Sequence, residues 1–373
     1  MKIFVVCSRL GYGGAEHVAV MWANGFAERG HDITLISNLY EEITFKIDER
    51  IKVRNLISSV DSKTKKWCGA VKNVRKLAKE NQPDVIISVM RVCSVIAKLA
   101  VIGLNIPVIA TEHNAYEWPE CNPMPFQARF FKFHLSKFYN AVTVLTEADK
   151  KIIGNRLKNS VVIPNPLSLK PIEKISKRQN NVLAVGRLDA WLVKGFDVLI
   201  RAWAQVIKSN KTANSRFKVQ SEKWKLQIAG TGNEKSLNYL KQLCKENDVE
   251  DSVEFLGFQK DIEKLYQEAS IFVLSSRYEG FGLVLIEAMS QGCACVACDY
   301  KGRQREIIQN VSQGLCCEPD DVKALAEALR RMMTDDEYRE SVRKNAAERS
   351  KHYLIENVIS QWNCLFTQIK CKN

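Results

Sequence analysis

The feature that most constrains the fold is an alternation of short apolar runs with helix-length segments, broken once and then resumed. Runs rich in Val and Ile over residues 2–8, 32–37, 84–88, 107–111, 141–145 and 161–163 read as strands, and residues 16–29 as an amphipathic helix ended by Gly30. Val161-Val162-Ile163-Pro164-Asn165-Pro166 leads into a polar, basic stretch over 170–181, which reads as a linker. Strands then follow over 181–186, 225–229, 253–256, 271–274 and 294–298, with helices over 195–210 and 235–247 and a polar loop over 211–223. Apolar strands separated by helices predict parallel sheets covered on both faces. Two such blocks predict an α/β chain of two doubly wound, Rossmann-like domains, with a ligand in the cleft they form.

The bulk properties fit this reading. A chain of 373 residues exceeds one ordinary core, and its 46% hydrophobic and 26% charged content is that of a globular protein. The net charge of +13 is uneven: residues 1–170 hold 24 Lys and Arg against 15 Asp and Glu, the remainder 31 against 27. A basic first half suits a membrane surface, a phosphorylated substrate or a nucleic acid. Nucleic acid is not expected, because aromatic and basic residues do not interleave as such a surface requires. Most of the twelve cysteines lie in apolar runs, and Cys295-x-x-Cys298 lacks a second pair at zinc spacing, so reduced thiols and no metal site are expected. The apolar start over 3–7 is broken by Arg9, and the longest apolar stretch, 85–110, is interrupted by Arg91, Lys98, Asn105 and Pro107. A cytoplasmic protein is expected, with peripheral attachment to the inner face of the plasma membrane as the further option.

Four motifs carry chemistry. Gly11-Tyr12-Gly13-Gly14-Ala15-Glu16 follows the first strand and opens a helix, where glycines let the backbone approach a phosphate. Glu16 stands where a dinucleotide fingerprint has its third glycine, and a tight turn is the plain alternative. In Ser275-Ser276-Arg277-Tyr278-Glu279-Gly280-Phe281-Gly282-Leu283, a strand leads through a loop into a helix that carries Glu287. The N–H groups of Phe281, Gly282 and Leu283 suit a diphosphate, and the two carboxylates suit sugar and ribose hydroxyls. Gly186-Arg187 and Lys194 follow another strand; their cations can neutralise a leaving diphosphate in place of a metal, and no Asp-x-Asp is present to hold one. His113, in Thr111-Glu112-His113-Asn114, ends a strand beside the inferred cleft and reads as catalytic, with a structural histidine as the alternative.

Together these motifs resemble family 4 of the retaining glycosyltransferases, which have the GT-B fold. The resemblance runs from Gly13-Gly14-Ala15-Glu16 through Thr111-Glu112-His113-Asn114 and Gly186-Arg187…Lys194-Gly195-Phe196 to Glu279-Gly280-Phe281-Gly282…Glu287-Ala288-Met289, and on to the segment between Tyr353 and Trp362. It implies an acceptor domain over 1–168, a nucleotide-sugar donor domain over 169–350, and a C-terminal helix over 351–373 packing back on the first domain. It implies a catalytic set of His113, Arg187, Lys194 and Glu279. Its implied donor-binding set is Gly13, Gly14, Gly186, Arg187, Lys194, Glu279, Gly280, Phe281, Gly282, Leu283 and Glu287. Gly14 would lie near the donor phosphates, His113 near the transferred sugar, Glu279 on the donor sugar and Glu287 on the ribose.

The implied reaction moves a hexose or N-acetylhexosamine from a UDP-linked sugar with retention, using no metal or other cofactor. The leaving phosphate helps to deprotonate the acceptor, so no carboxylate nucleophile is required. Two departures stand out. The interval from Arg187 to Lys194 is one residue longer than usual, and the loop 300–306 carries Arg303 and Arg305 where relatives have Gly-Pro before Glu306. The competing activity is a sugar-nucleotide 2-epimerase or hydrolase of the same architecture, and the competing substrate is a soluble acceptor.

Two segments bear on the acceptor. On a helical wheel over 65–79, Trp67, Ala70, Val71, Val74, Leu77 and Ala78 face one side, and Lys65, Lys72, Arg75, Lys76 and Lys79 the other. Such a helix either docks on anionic lipid or buries its apolar face in the domain. Residues 126–139 add Phe130, Phe131, Phe133 and Phe138, but Arg129, Lys132 and Lys137 intrude on the apolar arc, and this segment is expected in the core. A glycan acceptor linked to polyprenyl diphosphate, of capsule, O-antigen or exopolysaccharide assembly, is the expected partner beside the nucleotide-sugar donor.

Overall fold

A computed structural model describes residues 1–11, 13–57, 63–119, 123–174, 178–212 and 224–371, and side chains for all of these except 63–66 and 209–212. The chain forms two compact units, Met1–Ser168 with Tyr353–Asn373, and Leu169–His352.

The first unit is built on seven parallel strands: β1 (Lys2–Val6), β2 (Asp32–Ser37), β3 (Lys52–Asn55), β4 (Val85–Val89), β5 (Val108–Thr111), β6 (Ala141–Val144) and β7 (Ser160–Val162), in the order β3-β2-β1-β4-β5-β6-β7. The second has β8 (Gln179–Val185), β9 (Lys225–Ala229), β10 (Val253–Gly257), β11 (Ala269–Leu274), β12 (Ala294–Cys298) and β13 (Leu315–Cys317), in the order β10-β9-β8-β11-β12-β13. Strand order reverses between β1 and β4 in one sheet and between β8 and β11 in the other, the position where such sheets bind ligands beyond their carboxyl ends. Central strands such as β4, β11 and β12 are buried at every residue, as helices on both faces require.

The apolar stretch 85–110 resolves into β4, the helix Met90–Ala100 and β5. The chain passes from β4 into that helix without a loop, with Met90 in the left-handed region at φ 66°. No described helix is long and apolar enough to cross a membrane. The stretch 170–181 belongs to the second unit: the Ile172 N–H donates to the Ser290 carbonyl at 3.1 Å, Gln291 Nε2 donates to the Lys170 carbonyl at 2.8 Å, and β8 begins at Gln179. Residues 211 and 212 extend the helix Phe196–Thr212, and the rest of the polar loop lies outside the described residues. Described cysteines carry free thiols, and Cys295 and Cys298, three apart on a strand, project to opposite faces of the sheet.

The chain's last helix, Ile355–Lys370, packs on Gly14–Glu28 in the first unit. Trp22 meets Trp362 edge-on at 4.9 Å, and both are fully buried. Gly25 lets the helices touch, since a Cβ there would lie 2.9 Å from Ile355 Cγ1.

Both amphipathic segments differ from simple wheels. The helix Lys63–Asn81 spends its apolar side in the core, with Ala70, Val74 and Ala78 buried and Val71 and Leu77 packed against them. Trp67 stays 43% exposed, and Lys65 lies where side chains are outside the described residues. The run 126–138 is only in part the core segment expected, with Phe131 and Phe133 packed in core clusters. It passes from an α-helical start, Phe126–Phe130, through a π-helical turn, Phe131–Leu135, to a 3₁₀ turn, Ser136–Phe138. This shifting pitch turns Phe131 and Lys132 inward and leaves Phe126, Phe130 and Phe138 exposed. Lys132, one of the charges that intrude on the apolar arc, is buried against Glu112 at 2.7 Å.

Candidate active site

In the second unit, Gly186 and Arg187 leave β8 for the turn Leu188–Ala190, a single helical turn Trp191–Lys194, and Gly195. Gly195 has φ 64°, and a Cβ there would sit 2.0 Å from the Ser275 carbonyl oxygen, so glycine alone lets this loop press against the one after β11. The two loops are tied together. Ser275 Oγ donates to the Lys194 carbonyl at 2.8 Å, and the Arg277 N–H to that of Val193 at 2.9 Å. The Arg277 guanidinium grips the buried carboxylate of Asp197 with two bonds of 2.7 and 2.8 Å. Bonding to Asp197 holds Arg277 above its usual pKa.

The result is a cation and a carboxylate in contact. Lys194 Nζ lies 2.9 Å from Glu279 Oε2, which also accepts from Ser276 Oγ at 3.3 Å. Gly282, at φ 101°, caps the helix Leu283–Ser290. The first bond inside this helix runs from the Leu285 N–H to the Gly282 carbonyl at 2.9 Å, so the N–H groups of Leu283 and Val284 precede it at the helix's positive end.

Glu287, one helical turn further on, accepts from the wholly buried Tyr266 hydroxyl at 3.2 Å. Burial, and then the Glu287 charge, push the Tyr266 phenol well above its usual range, so it serves as a hydrogen-bond donor. Arg187 stands apart, 75% exposed, 3.6 Å from Asp189. Gly280 and Phe281 are buried, and the Phe281 carbonyl accepts from Gln304 Nε2 at 3.2 Å. The two unusual arginines support this wall: Arg303 is fully buried, its guanidinium 5.0 Å from the Tyr300 ring, and Arg305 pairs with Asp299 at 2.9 Å.

Three predicted residues belong to the first unit. His113 follows β5, with Nε2 3.1 Å from Thr111 Oγ1 and its ring 5.4 Å from Trp22. Burial pushes its pKa down to about 4, which leaves the imidazole neutral near pH 7. His113 Nδ1 and Asn165 Oδ1 are both buried without a hydrogen-bond partner among the described residues. Gly13 and Gly14 open the helix after β1, and the Glu16 carboxylate folds back over them, 2.2 Å from where a Gly13 Cβ would be and 3.0 Å from Arg9. The neighbouring Tyr12 lies outside the described residues. Among the described residues no three His, Cys, Asp or Glu side chains cluster as metal ligands.

Sequence reasoning missed Arg277 with Asp197, Tyr266 and Asn165. Arg277 lies inside a motif already singled out, and Asn165 inside the Pro-Asn-Pro segment, but Tyr266 and Asp197 carry no local signal.

Residues 168–349 match the family model described as Glycosyl transferases group 1, and residues 12–170 the model described as Glycosyltransferase Family 4. An uncharacterized glycosyltransferase of Haemophilus influenzae is 30% identical over 353 residues, covering 94% of this chain and 95% of that protein. The chain belongs to the family 4 glycosyltransferases. It is 28% identical, over 99% of both chains, to the Campylobacter jejuni GalNAc-alpha-(1->4)-GalNAc-alpha-(1->3)-diNAcBac-PP-undecaprenol alpha-1,4-N-acetyl-D-galactosaminyltransferase. It is also 28% identical to the amylovoran biosynthesis glycosyltransferase AmsD of Erwinia amylovora, over 94% of this chain and 95% of that one. Sucrose-phosphate synthase from Thermosynechococcus elongatus superposes over 100% of both chains with TM-score 0.81 at 18% identity. Anabaena HepE, solved with UDP and glucose, superposes over 99% of each with TM-score 0.77 at 20% identity. The glycosyltransferase therefore has the GT-B fold.

Proposed function

We propose that the enzyme moves a hexose or N-acetylhexosamine from a UDP-linked sugar to a lipid-linked glycan, with retention of anomeric configuration and without a metal. The observation that carries this reading is the Lys194–Glu279 contact of 2.9 Å, made by loops at the carboxyl ends of β8 and β11. A lysine held against a carboxylate offers a phosphate its cation and a sugar hydroxyl its acceptor at one point. Lys194 and Arg187 draw negative charge onto the departing diphosphate, and the N-terminus of Leu283–Ser290 adds its dipole. Backbone at Gly186, Gly280, Phe281, Gly282 and Leu283 completes the donor's surroundings in the second unit. Glu279 accepts from the donor sugar, and Glu287, positioned by Tyr266, from the ribose. The acceptor proton passes to a phosphate oxygen of the leaving group, and in the first unit His113 offers a neutral imidazole as a hydrogen-bond partner for a sugar.

The acceptor class is supported by two Campylobacter jejuni relatives whose names carry an undecaprenol diphosphate. Exposed Lys72, Lys76 and Lys79 on Lys63–Asn81 support an anionic membrane surface as a second partner, at the cytoplasmic face.

A product-release assay over UDP- and GDP-sugars, with and without EDTA, tests the reading. One UDP-sugar is expected to turn over at a rate EDTA leaves unchanged, and Lys194→Ala to lower kcat/KM by ~100-fold or more. Inhibition by EDTA overturns the metal-free mechanism; failure of every nucleotide sugar overturns the donor reading.

A further inference from the structure

We infer that the run 126–138 is a membrane-inserting element, whose exposed phenylalanines enter the acyl boundary of an anionic lipid bilayer. Phe126, Phe130, His134 and Phe138 recur every fourth residue. The outward phenylalanines are 80%, 46% and 60% exposed, with Leu135 at 39% beside them. Phe126 and Phe130 stack with centroids 6.4 Å apart, and Phe130 meets His134 at 5.1 Å, so the stripe is continuous from Phe126 to His134. Its underside is anchored: Ala128, Phe131, Lys132 and Ser136 are buried, and the Tyr116 hydroxyl donates to the Lys132 carbonyl at 2.6 Å. A helix that turns its aromatics to solvent while burying a lysine inverts the usual pattern of a soluble domain.

Charge identifies the occupant. Residues 121–146 contain no Asp or Glu, and the segment presents exposed Arg129 and Lys137, the latter 5.3 Å from the Phe138 ring centroid. Glu112 is spent on Lys132; Glu117 lines a pocket shared with Arg129, at one end of the stripe. Aromatics flanked by cations, free of acids within the segment, match the headgroup boundary of an anionic leaflet. A second copy of the chain fits less well: three phenylalanines and a leucine fall short of the roughly 800 Å² per partner of a standard interface. The helix Lys63–Asn81, its apolar side in the core, contributes charge rather than insertion.

This inference rests on the membrane partner proposed above and deepens it; it is measured without a donor, so its failure leaves the transfer reaction standing, and failure of every nucleotide sugar leaves it standing. The full chain is mixed with vesicles of phosphatidylethanolamine containing phosphatidylglycerol, and with vesicles of phosphatidylcholine alone, then sedimented. Wild type is expected to partition onto the anionic vesicles, and Phe126→Ser/Phe130→Ser/Phe138→Ser to lose at least ~10-fold of that partitioning with unchanged thermal unfolding. Arg129→Gln/Lys137→Gln is expected to weaken binding most at low salt. Phe126→Ser alone, at the most exposed site, decides the matter if the triple variant unfolds, with a loss of binding expected. Wild type that ignores anionic vesicles, or phenylalanine variants that bind as well as wild type, overturns the inference. So does a wild-type dimer that the phenylalanine variants dissociate.

Discussion

His113 owes its neutral state to burial, with a pKa of about 4. In the unfolded chain the same imidazole titrates near 6.5. Between those values the unfolded state binds more protons, so this contribution to stability is complete above pH 6.5 and is lost as pH falls towards 4. The shift corresponds to roughly 3 kcal/mol. Urea unfolding of wild type and His113→Gln from pH 7 to 4 should show wild type losing more stability across that window; identical pH slopes would contradict a buried neutral imidazole. At this scale the sequence was informative where motif and partner lie together. Strand-end spacing singled out Lys194 and Glu279, which the structure brings into contact, whereas Arg277 finds Asp197 eighty positions away, a pairing that local sequence cannot encode.

The helix Leu283–Ser290 shows how an element is aimed. Its start is set by Gly282 in the left-handed region, and its Glu287 is braced by the Tyr266 hydroxyl from the helix Ile262–Glu268. Tyr266→Phe removes one buried donor from a carboxylate at a cost of about 1 kcal/mol, so UDP affinity should weaken roughly 3- to 10-fold. Isothermal titration of UDP reads this directly, and unaltered affinity would remove Glu287 from the ribose. The strands the sequence hid, β3 and β13, are edge strands, partly exposed at most positions. An edge strand covered on fewer sides needs no continuous apolar run, so nothing in its composition announces it.

Across the whole molecule, the first unit is assembled from both ends of the chain and the second from one continuous stretch. Trp362 closes the first unit against Trp22, Phe26 and Phe366, with ring centroids 4.9 to 6.1 Å away. Trp362→Ala should cost about 3–5 kcal/mol. Calorimetry is expected to show the first unit melting at lower temperature while a transition for the second persists; an unshifted melt would mean the helix Ile355–Lys370 adds no stability. By itself the sequence determined the parallel α/β architecture and the family, and it singled out the loops after β8 and β11, because periodicity and strand-end motifs are local properties of the chain. Only the tertiary structure decided which amphipathic faces went inside. Residues 63–81 and 126–138 both mix apolar side chains with lysines, yet one spends its apolar side in the core and the other turns three phenylalanines to solvent. Burial depends on what packs against an element, and on the pitch it adopts there, not on its own pattern alone.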